Sequence, residues 1–214
     1  TFLMSAVPSP FSAASSTWKF LSPSGEYREL MLEQTREICA AYDVDGFFFD
    51  ICFHTVCHCP SCRSEMAKAG LDPARDEQAR EWHVRKWQSF MAAASGVIHA
   101  RFPDATVFYN GGASPYTPEW HAGDTHFELE DLPTTWGGYD KFPIRAKFFA
   151  GTGRQYLAMS GKFHTSWGEF GGFKHPDALR YEAGSMLAYG AACNFGAQLH
   201  PAGEMDLGTY RNIG

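Results

Sequence analysis

The sequence predicts an α/β fold: a (β/α)8 TIM barrel, incomplete at its N-terminus, forming a single domain over residues 1–214. Three observations lead there. Short apolar runs alternate with longer amphipathic stretches about five times, the order of a parallel sheet with helices outside. Polar residues recur at nearly every predicted strand exit: Asp50, Asn110, Glu128 with Glu130, His164 with Glu169, and Gln198 with His200. A barrel collects its chemistry at such exits. Neither GxGxxG nor a Walker A motif is present, so the phosphate loop of an open doubly wound sheet is missing. A complete barrel takes about 250 residues. The chain has 214 and supplies five or six strands, so one to three N-terminal strands are expected to be missing.

Residues 1–16, rich in Ser, Pro and Ala, read as a loop or a ragged end, and Thr17–Leu21 as a short strand. Ser24 caps a first helix over Tyr27–Tyr42, with Tyr27, Leu30, Met31, Ile38 and Tyr42 on one face. Val44–Asp50 is an aromatic run between two helices and reads as a buried parallel strand ending on a carboxylate. Asp72-Pro73 opens a long helix that runs to about Phe102. Its stripe is Trp87, Phe90, Met91, Ala94, Val97 and Ile98, and Pro103 stops it. Ala105–Tyr109 is the next strand, and the alternating Thr125–Glu130 is a strand or its exit. A helix over Pro143–Ala150, a strand over Tyr156–Met159, a polar aromatic loop over Ser160–Lys174, a helix from Pro176 to about Gly190 and a strand over Ala191–Leu199 complete the chain. In the last helix Leu179, Ala183, Met186 and Leu187 are expected inward. No repeat and no linker interrupts this order.

A net charge of −6 without a Lys/Arg run excludes a nucleic-acid partner. No apolar run approaches the roughly 20 residues a bilayer span needs, so no membrane partner is expected. The N-terminus has neither an initiator Met nor a basic leader, and the C-terminus stops without a closing signal; both read as ends of a fragment. A missing C-terminal region leaves room for self-association into a homo-oligomer. Four of the six cysteines cluster within Cys52–Cys62. That fits a reducing, cytoplasmic compartment with one metal site better than a secreted disulfide scaffold.

The cluster Cys57-His-Cys59-Pro-Ser-Cys62 supplies three thiolates in the CxC and CxxC spacing of tetrahedral zinc. Cys52 is the expected fourth ligand, with His54, His58 or an upstream residue as alternatives. Four ligands leave no open position, so this zinc is structural. Among the acids, Asp50, Glu128, Glu130, Asp131 and Glu169 are candidates to converge at the barrel mouth. Hydrolysis of a glycosidic bond takes two such carboxylates. No organic cofactor motif competes with that reading. His54, Asn110, His126, Glu130, His164, Trp167 and His200 are expected to bind substrate hydroxyls and ring faces, because aromatic surfaces suit sugar C–H faces. The loop Lys162–Gly172 adds small residues that let a ligand approach. A metal-dependent hydrolase built from His126, His164, His200 and Asp50 is a second reading, and a non-catalytic sugar-binding or assembly module is a third.

The segments Val44–Asp50 with its cysteine loop, His126–Glu130, Met159–Gly172 and Gln198–Pro201 resemble bacterial glycoside hydrolases of the α-L-fucosidase-like kind, those with a β-galactosidase trimerisation domain downstream. The resemblance implies a retaining exo-glycosidase in which Asp50, at the end of the fourth barrel strand, is the nucleophile. Glu169 or Glu128 is then the acid/base, with Glu130 behind them. The cysteine loop also looks like the zinc loop of some β-galactosidases on the same barrel. Those enzymes use two Glu residues, and Asp50 departs from that pattern toward fucosidase-like chemistry. The expected partner is an oligosaccharide or glycoside.

Overall fold

The computed structural model describes residues 21–52, 56–111 and 113–214. The expected N-terminal loop, nearly all of the strand at Thr17–Leu21, and His54 lie outside the described residues. The chain divides into two compact units, one of residues 1–111 and 118–124, the other of residues 112–117 and 125–214.

The first unit runs α1 (Gly25–Ala41), β1 (Gly46–Phe49), α2 (Pro60–Lys68), α3 (Asp76–Arg101), β2 (Thr106–Tyr109) and a 3₁₀ turn at Pro118–His121. β1 and β2 pair in parallel from Gly46↔Thr106 to Phe49↔Tyr109. Phe47 and Phe49 face a core of Leu32, Cys39, Trp87, Phe90, Met91, Ala94, Ile98 and Val107. Phe49 stacks on Tyr109 at 4.8 Å and meets Phe90 edge-on at 6.3 Å. The long helix presents the predicted stripe, with Val97 only partly covered. It begins at Asp76 rather than at Asp72. The Asp72 carboxylate accepts from the Ala74 amide and closes a turn instead.

Two expectations change here. The first helix buries Leu32, Thr35 and Cys39, while Leu30, Ile38 and Tyr42 are exposed. A stripe chosen for large apolar side chains picked the wrong face; the small Thr and Cys lie where α3 approaches. β1 is half covered rather than buried, with Phe48 47% exposed, because one face of its two-stranded sheet carries the helices. The sequence reading also passed over α2, where Pro60 sits at the first helical position.

The second unit runs β3 (Phe127–Glu130), α4 (Lys141–Ala150), β4 (Tyr156–Gly161), α5 (Pro176–Ala188), β5 (Ala192–Gly196) and α6 (Leu207–Ile213). Its sheet is parallel in the order β3-β4-β5. Phe127, Leu129, Ala158 and Phe195 turn to the helices and pack with Phe142, Ala146, Phe149 and Met186. Leu187, expected inward, is 68% exposed, and Glu182 is buried on that helix instead. The Lys174 ammonium meets it at 2.9 Å, and Ser160 donates to the same carboxylate. Lys174→Met strands this carboxylate inside the unit. It should lower stability by about 3–5 kcal/mol, read as a shift of the urea midpoint at unchanged slope; a shift under a quarter of that size would show that water replaces the ammonium.

The described residues do not form a (β/α)8 barrel. They hold two separate parallel sheets, of two and three strands, and closure needs every strand paired on both edges. At β2 the outer edge is taken by a side chain. The Tyr109 amide donates to the Asp124 carboxylate at 2.9 Å, and His121 pairs with the same carboxylate at 2.9 Å. That backbone group is therefore satisfied without a neighbouring strand. No described helix is long and apolar enough to cross a membrane.

Candidate functional site

In the first unit the chemistry sits at the C-terminal ends of β1 and β2. Asp50 follows β1, is exposed, and its carboxylate accepts from the Asn110 side-chain amide at 3.0 Å. Two residues chosen as strand exits are thus brought into contact by the parallel register. The backbone tightens the arrangement, since Asn110 N–H donates to Phe49 C=O at 2.7 Å and Cys52 N–H to Asn110 C=O at 2.8 Å. Between these bonds Ile51 adopts φ 59°. A β-branched residue in the left-handed region is a strained conformation that surrounding structure must enforce. The strain turns the chain directly after Asp50 and holds its carboxylate off the strand.

The cysteines divide. The sulfurs of Cys57, Cys59 and Cys62 lie within 4.8 Å of one another and are buried. Cys59 caps α2, its sulfur accepting from the Cys62 amide at 3.5 Å. Lys86, buried on α3, donates to the Cys62 sulfur at 2.9 Å and to Ser22 at 2.6 Å. The Cys57 thiol hydrogen-bonded to it, then the Lys86 ammonium, hold Cys62 well below the usual thiol range, while the same bond pushes Cys57 up. Cys52 stands apart, its thiol donating to Phe49 C=O at 3.4 Å inside the first core. Burial, then the Asp50 and Asp124 carboxylates, push it up to about 12. Three buried sulfurs at mutual contact suit a metal ion, which would relieve their crowding as thiolates. His58 is half-buried beside them. Sequence reasoning missed Lys86, because a lysine on a long charged helix carries no signal of its own.

In the second unit Glu128 and Glu130 alternate with Phe127 and Leu129, so they project from the sheet face opposite the helices. Glu128 is 7% exposed. One of its oxygens meets His126 Nε2 at 3.0 Å, and the other has no partner among the described residues. Glu130 accepts from the Trp167 indole at 2.7 Å. Register puts Met159 and Asn194 in one row with Glu130; strand alternation alone would have found Asn194, which the sequence reading left out. Lys162 ties the loop down by donating to Phe170 C=O at 2.6 Å, and the Gly168 amide donates to Gln198 at 2.7 Å. Phe170 meets His200 edge-on at 6.0 Å. The Glu169 carboxylate accepts from the Thr165 amide at 2.7 Å and hydroxyl at 2.9 Å. The amide, then the hydroxyl, hold Glu169 below its usual range. His164 is exposed. Asp131 is tied to Arg145 at 2.6 Å and Lys141 at 3.0 Å. Among the described residues the histidines form no set of metal-ligand atoms within 4.8 Å; the three cysteines do.

Trp167 reaches Glu130 because Gly196 leaves room for its ring. A Cβ at Gly196 would fall well inside contact distance of the indole. Gly196→Ala should expel the ring, red-shift tryptophan emission, and cost about 1–3 kcal/mol of stability. An unchanged emission maximum would mean the indole has a second seat.

No family model matches the chain, and no curated protein does. Solved structures do. The chain overlays an α-L-fucosidase, isoenzyme 2 from Paenibacillus thiaminolyticus, with a TM-score of 0.88 and 40% identity over 99% of its own length. This chain resembles α-L-fucosidase-like glycoside hydrolases. It spans about a third of that fucosidase, 32% of its length. It also overlays the PgaB (BpsB) glycoside hydrolase domain from Bordetella bronchiseptica with a TM-score of 0.68, covering 98% of this chain and 68% of that one at 14% identity. This second likeness is one of fold. The resemblance to fucosidase-like glycoside hydrolases thus rests on the first overlay.

Proposed function

We propose that this chain carries catalytic residues of a glycoside hydrolase, a retaining exo-glycosidase of α-L-fucosidase type. The observation that supports it most is the 40% identity to the P. thiaminolyticus fucosidase over nearly the whole chain. Asp50 is the nucleophile. It is an exposed carboxylate held by one amide, with its other oxygen available to an anomeric carbon. Glu128 is the acid/base. A general acid must hold a proton near the working pH. Glu169, kept below its usual range by Thr165, is poorly suited to that task. Glu128 is buried, braced by His126, and presents an unpartnered oxygen. In the first step an Asp50 oxygen bonds to the anomeric carbon as the bond to the leaving oxygen breaks, and Glu128 gives that oxygen its proton. In the second, Glu128 takes a proton from water, whose oxygen displaces Asp50.

Trp167, Glu130, Asn110 and His200 bind the sugar, and a glycoside is the partner. The three-cysteine cluster holds a structural zinc, completed by His58 or His54. Six cysteines outside any disulfide, three of them given to this zinc, fit a reducing compartment. The test is hydrolysis of aryl glycosides of fucose, galactose and arabinose. Release from the α-L-fucoside with retained anomeric configuration is expected. An inverted product, or turnover of the galactoside alone, overturns the reading.

A further inference from the structure

Lys86 is a cation where packing calls for an apolar side chain. It lies on the buried stripe of α3, with Ala79 and His83 before it and Trp87 and Phe90 after it. It is itself only 8% exposed. Its ammonium donates to Ser22 Oγ at 2.6 Å and to Cys62 Sγ at 2.9 Å, and among the described residues no carboxylate pairs with it. A buried ammonium without an opposite charge is costly to keep. The other buried lysines are provided for differently. Lys174 meets the Glu182 carboxylate at 2.9 Å, and Lys162 lies over the Phe173 ring at 4.4 Å and donates to Phe170 C=O.

The sulfur cluster has the complementary need. Cys57, Cys59 and Cys62 are buried and within 4.8 Å of one another. A metal ion held by them takes all three as thiolates. A divalent ion with three thiolates and a neutral imidazole carries one net negative charge, and Cys62 lies fully out of water's reach. Two of the sulfurs already receive N–H donors. Cys59 accepts from the Cys62 amide at 3.5 Å, and Cys62 accepts from Lys86. Donors in this outer position orient the ligands and tune the metal. The amide supplies a dipole, whereas Lys86 supplies a full positive charge.

We propose that Lys86 is the counter-cation of this metal centre. Its ammonium, anchored by Ser22, offsets the net negative charge of a divalent ion on three thiolates and holds the Cys62 sulfur in place. This inference rests on the zinc reading of the cluster. Zinc affinity, measured by competition with a chromophoric chelator, should fall about 10- to 100-fold in Lys86→Met. It should also fall in Lys86→Gln, which keeps an N–H donor and lacks the charge. With cobalt(II) in place of zinc, the sulfur-to-cobalt charge-transfer band should move to longer wavelength in both variants, because a sulfur relieved of the ammonium gives up an electron more readily. Lys86→Met should lower Tm of the zinc-loaded protein, and that of the metal-free protein by less than half as much. Three results each overturn the proposal and leave the zinc reading standing: zinc affinity in Lys86→Met within about twofold of the parent's, an unmoved cobalt band, or equal losses of Tm in the two forms. A parent protein that binds no zinc overturns both. Should Lys86→Met fail to fold, the affinity and the band of Lys86→Gln decide.

Discussion

Asp50→Asn should lower kcat on an aryl α-L-fucoside by a factor on the order of 10⁴, with KM changed little. The substitution is nearly isosteric, and the Asn110 amide that holds Asp50 at 3.0 Å can still find an oxygen there. What disappears is the negative oxygen that bonds to the anomeric carbon. Ile51, with φ 59°, keeps turning the chain in the same way, so thermal stability should change by less than about 2 °C, the shift expected for under 1 kcal/mol. A smaller variant, Asp50→Gly, should regain turnover with added azide, which takes the place of the carboxylate and leaves as a fucosyl azide of inverted configuration. Asp50→Asn retaining more than a tenth of the parent rate would remove Asp50 as nucleophile. Azide rescue at Glu128→Ala with the same inversion would exchange the two roles.

The second large effect belongs to the sulfur cluster. The protein should carry one zinc per chain, and Cys62→Ser or a strong chelator should lower Tm by about 10 °C, the shift expected when several kcal/mol of metal binding is withdrawn from the folded state. Cys62 is the sensitive position because it is fully buried and meets Cys57, Lys86 and Ser22 together. It joins α2 to α3 and to the residues before α1. Cys52→Ser should leave the zinc content unchanged, since that thiol lies in the first core, bonded to Phe49 C=O. A protein purified without metal that has the same Tm with and without added zinc would reduce the cluster to three packed thiols. Loss of zinc in Cys52→Ser would make Cys52 the fourth ligand after all.

Much of this was legible in residue patterns of short range. Alternation in Phe127–Glu130 placed two acids on one face, and the Trp87–Ile98 stripe placed the long helix. Asp50 and Asn110 were found as strand exits because parallel strands put such exits side by side. The CxC and CxxC spacing led to the buried sulfur group. The misses have a common cause. Leu187 and Glu182 sit on one helix, and only the position of Lys174 decides which faces inward. Cys52 is near Cys57 in sequence, yet the bond of its amide to Asn110 C=O pulls it into the first core.

The sequence by itself determined the parallel strand–helix order, the acids at strand exits and the three clustered thiols, because each depends on neighbours within a few residues or on a periodicity of two or 3.6. Tertiary structure alone decided the sheet architecture and the standing of the acids. The Asp124 carboxylate occupies the Tyr109 amide at the β2 edge, where a further strand would pair. Thr165 holds Glu169 as a carboxylate, and Lys141 with Arg145 draws Asp131 to the helix side. Glu128 keeps an oxygen without a partner. These contacts span from four residues of chain, Thr165 to Glu169, to fifteen, Tyr109 to Asp124, and follow no periodicity of two or 3.6, yet they give similar carboxylates different surroundings.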